Sequence, residues 1–124
     1  MNIPKIPEGE YRFCLLMWEH EPVTASEMVK LCQEKLAWKR TTTYTVIKRL
    51  GERGVLKLEN GIVTSLISKE QAEKAEIETL VESRFGGSLP AFVAAFTKHQ
   101  NLSEAELDEV QSMIDRIRRR GGEK

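Results

Sequence analysis

Apolar residues recur at helical spacing in three consecutive stretches of the chain. In residues 8–20 they occupy nearly every side of the predicted helix, which is typical of a helix buried inside a domain. The second stretch, residues 25–36, follows Thr24, whose hydroxyl can form a capping box with Glu27. The third stretch covers residues 41–53. The pattern predicts three helices in a row.

Residues typical of β-strands follow the third helix. Residues 55–59 and 62–67 flank the dipeptide Asn60-Gly61. This dipeptide between two such runs is a strong signal for a hairpin, because both turn positions need a positive φ. Three helices and a hairpin predict a winged helix-turn-helix, which we assign to residues 1–68.

The remaining residues, 69–124, show a different pattern of short helices. Ser68 caps the first of them, a glycine pair at 86–87 ends it, and a short apolar segment follows. In the last helix, apolar residues recur at spacings of three, four and three, which is a heptad-like seam. The chain is therefore predicted to be mainly α, with a small β-hairpin in its winged domain and a helical region behind it.

The helical region carries many apolar side chains for its size. A segment this short buries too little surface to be stable alone, yet each such side chain gains roughly 1.5–3 kcal/mol from full burial. Packing against the winged domain is one way to cover them. A second copy fits better, because a seam and a separate apolar segment form a self-complementary surface. We predict a homodimer, with the following dimerisation residues: Phe85, Leu89, Phe92, Val93, Phe96, Leu107, Val110, Ile114 and Ile117.

The chain has no net charge, but its basic residues are concentrated in one stretch. Residues 39–57 contain six basic residues and one acid, Glu52, so this stretch has a charge of plus five. A local basic surface matters more for contact with DNA than the balance of the whole chain. The charge pattern therefore favours a nucleic-acid interface along the third helix.

The start of the third helix has an unusual composition. Threonine occupies positions 41, 42 and 43 although it is a poor helix former, which indicates that another requirement selected it. Helical spacing turns one set of residues inward: Thr43, Val46, Ile47 and Leu50. Short polar side chains on the opposite face suit base contacts in the major groove, and flanking cations suit phosphates. The predicted DNA-binding residues are Lys39, Arg40, Thr41, Thr42, Tyr44, Thr45, Lys48, Arg49 and Arg53.

Other functions receive less support from the sequence. For Tyr44, packing against the edge of the hairpin is an equally good interpretation. A winged-helix adapter that binds protein without reading DNA is the alternative function for the whole chain. An enzyme is not expected, because the only histidines, His20 and His99, lie far apart and no phosphate loop, zinc-helix motif or nucleophile elbow occurs. No catalytic residue, metal site or cofactor is predicted.

The cysteines and the termini suggest a cytosolic protein. Cys14 and Cys32 lie inside apolar helical patterns, where a small buried hydrophobe is a better interpretation than a disulfide or a metal ligand. No apolar run is long enough to cross a bilayer, and the first residues do not resemble a secretory signal.

The sequence resembles the penicillinase-repressor and methicillin-resistance-repressor family. Residues 38–50 carry the most specific part of the resemblance, which continues through Gly54 into the wing and through residues 88–96 in the tail. The resemblance implies a dimer on palindromic operator DNA that represses β-lactamase or cell-wall stress genes. It also implies a partner, a membrane sensor metalloprotease, whose signal leads to cleavage at Ala95-Phe96. The best-known members have Asn before that Phe. The tail lacks the cysteine pairs of the copper-responsive branch, so copper sensing is not expected.

Overall fold

The computed structural model describes residues 3–98 and 101–122 of the chain. His99 lies outside the described residues. The elements in chain order are α1 (Glu8–His20), β1 (Val23–Thr24), α2 (Ala25–Leu36), α3 (Arg40–Arg53), β2 (Leu56–Glu59), β3 (Ile62–Ser65), α4 (Lys69–Phe85), α5 (Leu89–Lys98) and α6 (Glu104–Gly122). They divide into two compact units, Met1–Leu80 and Val81–Lys124.

The first helices begin and end close to their predicted positions. The capping box of α2 is present: the Glu27 amide donates to Thr24 Oγ1 at 3.1 Å, and the Thr24 amide donates to Glu27 Oε1 at 3.4 Å. At the end of α2, Ala37 takes the left-handed conformation with a φ of 57°. Both α1 and α2 turn apolar side chains into a common core.

Helix α3 lies against this core with the face that its sequence predicts. Its four buried residues are Thr43, Val46, Ile47 and Leu50. The helix ends at Gly54, whose φ of 84° is the left-handed conformation that a C-terminal glycine supplies at little cost. The Val55 amide then donates to the Leu50 carbonyl at 2.9 Å, which turns the chain directly into the sheet.

The predicted hairpin is present and belongs to a three-stranded sheet. Asn60 and Gly61 both have a positive φ, at 54° and 76°, as a tight two-residue turn requires. Strand β1 pairs antiparallel with β3, so the strand order is β1-β3-β2. The sequence did not predict β1, because a strand of two residues is too short to show an alternating pattern.

The start of α4 is attached to the winged unit. Ser68 and Gln71 form the predicted cap, with the Gln71 amide donating to Ser68 Oγ at 3.0 Å. Ala72 is buried in the core of the first unit. The boundary between the two compact units therefore lies inside α4, after Leu80. The sequence pattern predicts the boundary between the DNA-binding and dimerisation regions before residue 69. The dimerisation role of residues 69–124 stays a prediction.

The second unit has apolar side chains on its surface. Phe92 packs edge-to-face against Phe85, with ring centroids 5.5 Å apart, and stacks on Phe96 at 6.4 Å. Even so, α5 has no buried residue, and residues 104–121 of α6 are all exposed. Ser103 caps α6 as predicted, through its reciprocal hydrogen bonds with Glu106.

Candidate nucleic-acid interface

The outward face of α3 brings together most of the residues that the sequence assigned to DNA contact. Thr41, Thr45 and Lys48 lie on one side of the helix, at spacings of four and three residues, and all are exposed. Thr42 is exposed on the flank of the same face. In contrast, Thr43 is fully buried, so the third threonine of the run belongs to the core. The outward face of α3 is a continuous polar surface of the kind that fits the major groove.

Backbone contacts limit what these threonines can offer to a ligand. Thr45 Oγ1 donates to the Thr41 carbonyl at 2.9 Å, so its hydroxyl proton is already used within the helix. The lone pairs of the oxygen and the methyl group remain exposed. A side chain in this state can accept a hydrogen bond from a base edge and can contact a thymine methyl.

Tyr44 lies between the helix and the wing. Its ring is half-buried, packs against the core and lines a shallow groove with Leu58 and Leu66. The Arg40 guanidinium lies over the ring, 5.3 Å from its centroid, which is within cation–π range. The packing that was predicted as an alternative for Tyr44 is therefore present, and its contact with DNA stays a prediction.

Four of the predicted phosphate-contacting cations have no ion pair within the described part of the chain. They are all exposed: Lys39, Arg40, Lys48 and Arg53. Lys57, at the edge of the wing, pairs with Glu59 at 3.4 Å, but both side chains are more than half exposed. Such a pair is weak and screened by salt, so the surface around α3 keeps its positive potential.

Arg49 has a contact that the sequence did not reveal. Its Nη1 donates to Oε1 of Glu10, a carboxylate that α1 places inside the winged unit and that is only 4% exposed. Among the described residues, the other oxygen of Glu10 is buried and has no hydrogen-bond partner. A guanidinium has five N–H donors, and the Arg49 side chain is 53% exposed. Arg49 therefore ties α3 to α1 with one nitrogen and keeps the others available for a phosphate.

A second carboxylate, that of Glu21, holds the wing in place through hydrogen bonds. The Ser65 hydroxyl donates to the Glu21 carboxylate, whose two oxygens both lie 2.8 Å from Ser65 Oγ, and the Ser65 amide donates to Glu21 Oε1 at 2.8 Å. The Ala25 amide donates to the Gly61 carbonyl at 2.9 Å, which holds the turn of the hairpin to the start of α2. The position of the wing relative to the end of α1 and the start of α2 is thus set by hydrogen bonds as well as by the sheet.

The two cysteines lie in the core of the winged unit, and His20 lies on its surface. Burial, with a smaller contribution from the Glu10 carboxylate, raises the pKa of Cys14 to about 12. Burial also raises the pKa of Cys32, and a hydrogen bond with Thr43 opposes part of that rise. Both thiols are free and stay protonated at neutral pH, so they behave as small hydrophobes. His20 is exposed, and its Nδ1 lies 2.8 Å from the Leu16 carbonyl.

In residues 3–98 and 101–122, no group of three or more His, Cys, Asp or Glu side chains is arranged to hold a metal ion. No helix in these ranges is long and apolar enough to cross a membrane.

The predicted dimerisation residues lie on the helices of the second unit. Phe85 and Phe92 are half-buried. The others are exposed: Leu89, Val93, Phe96, Leu107, Val110, Ile114 and Ile117. The predicted cleavage bond, Ala95-Phe96, lies inside α5, and a peptide bond in a helix must unfold locally before a protease can bind it.

Comparison with known proteins gives a consistent set of relatives. The sequence model of the penicillinase repressor family matches residues 7–116. The chain is 22% identical over 123 residues to the penicillinase repressor of Bacillus licheniformis, with 96% of each chain covered. It is 21% identical over 116 residues to the methicillin resistance regulatory protein MecI of Mammaliicoccus sciuri, covering 90% of this chain and 94% of that protein. Among solved structures, the transcriptional regulator SlyA aligns with 94% of this chain and 76% of its own, at 19% identity and a TM-score of 0.40, a likeness too weak to support a conclusion.

Proposed function

We propose, since the chain belongs to the penicillinase repressor family, that it is a homodimeric repressor that binds palindromic operator DNA through the outward face of α3. The resemblance carried by residues 38–50 is confirmed by the family match. The same match identifies the chain as a transcriptional regulator and not an enzyme.

The outward face of α3 is the observation that carries the proposal. It combines exposed threonines at the start of the helix with cations on both flanks, while the opposite face is buried. Threonines at the start of the helix suit the base edges, and the cations suit the phosphates on either side of the groove. An adapter that binds protein has no need of this combination of residues.

Two copies of the face are needed for a palindromic site. A dimer presents two recognition helices to successive turns of the duplex, about 34 Å apart, and its two-fold symmetry matches an inverted repeat. The exposed apolar residues of α5 and α6 support such a dimer, because each must otherwise stay in contact with water.

The names of the relatives suggest the genes that are controlled. Penicillinase repressor and methicillin resistance regulatory protein both refer to resistance against β-lactam antibiotics. We therefore expect the operator to lie before a β-lactamase gene or another gene of the response to cell-wall stress. A membrane sensor metalloprotease that acts near Ala95 and Phe96 is part of the same proposal.

Selection of genomic fragments by the purified protein tests the proposal without assuming an operator. We expect the bound and sequenced fragments to share an inverted repeat, and the affinity for that repeat to fall steeply as salt rises, because phosphate contacts release counterions. Fragments that show no common motif, together with an affinity that does not depend on salt, would support the adapter instead.

A further inference from the structure

The charges of α6 are separated along its length. Apart from Asp115, its acids lie in the first half of the helix and its bases in the second half. The acids are Glu104, Glu106, Asp108 and Glu109, and the bases are Arg116, Arg118, Arg119 and Arg120. All of these side chains are exposed, and none forms an ion pair with another described residue of its own chain.

The apolar seam of α6 is symmetric about its middle. Leu107, Val110, Ile114 and Ile117 are 44%, 47%, 41% and 57% exposed. Their spacings of three, four and three residues are the same in both directions, and the midpoint falls at Ser112. When a second α6 runs in the opposite direction with its own Ser112 at the same level, Leu107 meets Ile117, and Val110 meets Ile114.

From these two features we infer that the α6 helices of the dimer pair antiparallel, with the two-fold axis crossing the seam between Val110 and Ile114, at the level of Ser112. The inference rests on the proposed homodimer and adds the direction and register of one contact in it. The occupant of the α6 seam is thus a second copy of the same helix.

The residues that flank the seam support this direction. Glu104 and Arg118 lie on one flank, and Glu106 and Arg120 lie on the other. With the axis at Ser112, Glu104 is level with Arg118 of the second copy to within about 3 Å along the helix, because the rise per residue is about 1.5 Å. The same offset applies to Glu106 and Arg120. Every charged flanking residue then meets an opposite charge.

A parallel pair would bring like charges together instead. In a parallel pair each flank faces the opposite flank of the partner, so Glu104 would lie beside Glu106 of the second copy, and Arg118 beside Arg120 of the second copy. Exposed ion pairs add little affinity, but repulsion between like charges selects against a wrong arrangement. The helix dipoles also oppose each other only in the antiparallel arrangement. Met113, which is 47% exposed and next to the axis, meets its own copy there.

Disulfide cross-linking between two tagged variants tests the direction of pairing. One chain carries L107C, the other carries I117C, and the two are mixed as full-length protein under mild oxidation. We expect a covalent mixed dimer, and no covalent dimer from either variant alone. The wild-type protein is the control, since Cys14 and Cys32 are both buried.

The possible outcomes separate this inference from the proposed homodimer. A covalent dimer from L107C alone would show a parallel pair and overturn the inference while leaving the homodimer intact. A dimer in sedimentation that gives no mixed cross-link would also overturn only the inference. Wild-type protein that sediments as a monomer would overturn the homodimer itself.

Charge reversal provides an independent test. Glu104 and Arg118 are chosen because the Glu106 carboxylate already closes the capping box with Ser103. We expect E104R to weaken dimerisation roughly tenfold, since it places like charges on one flank, and the double variant E104R/R118E to restore it. In a parallel pair E104R would instead place an arginine beside Glu106 of the second copy, so an unchanged or lower dissociation constant would contradict the antiparallel arrangement.

Discussion

On the outward face of α3, the contacts that a side chain makes within the protein determine which of its groups remain free to bind DNA. Thr45 donates its hydroxyl proton to the Thr41 carbonyl and exposes a methyl group and oxygen lone pairs. Arg49 binds the buried carboxylate of Glu10 with one nitrogen and exposes the rest of its guanidinium. The first of these residues is suited to reading a base, and the second to holding a phosphate at a fixed place.

Substitution of Thr45 tests its role in base reading. We expect Thr45→Ala to weaken binding to the selected operator by about 1–3 kcal/mol and to leave binding to random duplex unchanged. Thr45→Val keeps the methyl group, so it separates the contribution of the methyl from that of the oxygen. Fluorescence anisotropy measures both affinities, and Thr79→Ala, at an exposed site in α4, is the matched control. An equal loss on random DNA would show that Thr45 does not read bases.

The pair between Glu10 and Arg49 is expected to contribute to stability. Glu10→Gln removes the charge that Arg49 binds and leaves a buried side chain with a poorer partner, so the free energy of unfolding should fall by about 1–3 kcal/mol. Urea denaturation measures this change. Glu8→Gln alters an exposed carboxylate in the same turn of α1 and should have almost no effect. Equal free energies of unfolding for the two variants would show that the pair between Glu10 and Arg49 does not stabilise the fold.

Glu10 also marks a limit of what the sequence can predict about the site. The threonines, the cations and the buried side of α3 follow from composition and helical spacing, which are local properties. The partner of Arg49 lies 39 residues away on another helix, and nothing local indicates that the two meet. The spacing in α1 indicated only that Glu10 shares the buried face of the helix, since it lies one turn before the buried Cys14.

At the scale of elements, the helix ends were easier to predict than the sheet. Thr24 and Ser68 cap helices with the reciprocal bonds that their neighbours in sequence imply. The turn at Asn60 and Gly61 was equally clear from its dipeptide. Strand β1 was missed because its two residues gain their structure from pairing with β3, a contact between distant parts of the chain.

Two glycines at the end of α3 allow a matched test of its C-terminus. Gly54 has a φ of 84°, so Gly54→Ala should lower the free energy of unfolding by about 1–2 kcal/mol. Gly51 lies inside α3, and a Cβ there would meet Leu56 Cδ1 at an ordinary 3.8 Å. Gly51→Ala should therefore raise stability by about 0.5–1 kcal/mol. Urea midpoints measure the stability of both variants. A loss of stability in Gly51→Ala as large as that in Gly54→Ala would contradict the end of α3 at Gly54.

At the scale of the whole molecule, the exposed apolar seam connects oligomeric state with DNA binding. Ile114→Glu places a charge in the middle of the seam and should give monomers, because burying an unpaired charge is costly. Operator affinity should fall with it, since a monomer engages only one half-site. Ser112→Glu adds the same charge on the side of α6 away from the seam and should leave both properties unchanged. Sedimentation and anisotropy measure them, and a dimer that survives Ile114→Glu would show that the seam is not the interface.

In the proposed complex, α3 of each subunit enters the major groove of the same duplex. Affinity cleavage tests it directly: Thr42→Cys carries a tethered DNA-cleaving reagent at the exposed start of α3, and Thr79→Cys carries the same reagent as the control. Cys14 and Cys32 are buried, so labelling should be confined to the introduced thiol. We predict that the Thr42 conjugate cuts the selected operator at two centres, about 10 base pairs or a multiple of that apart. A single centre, or cuts that appear only with the Thr79 conjugate, would contradict the account.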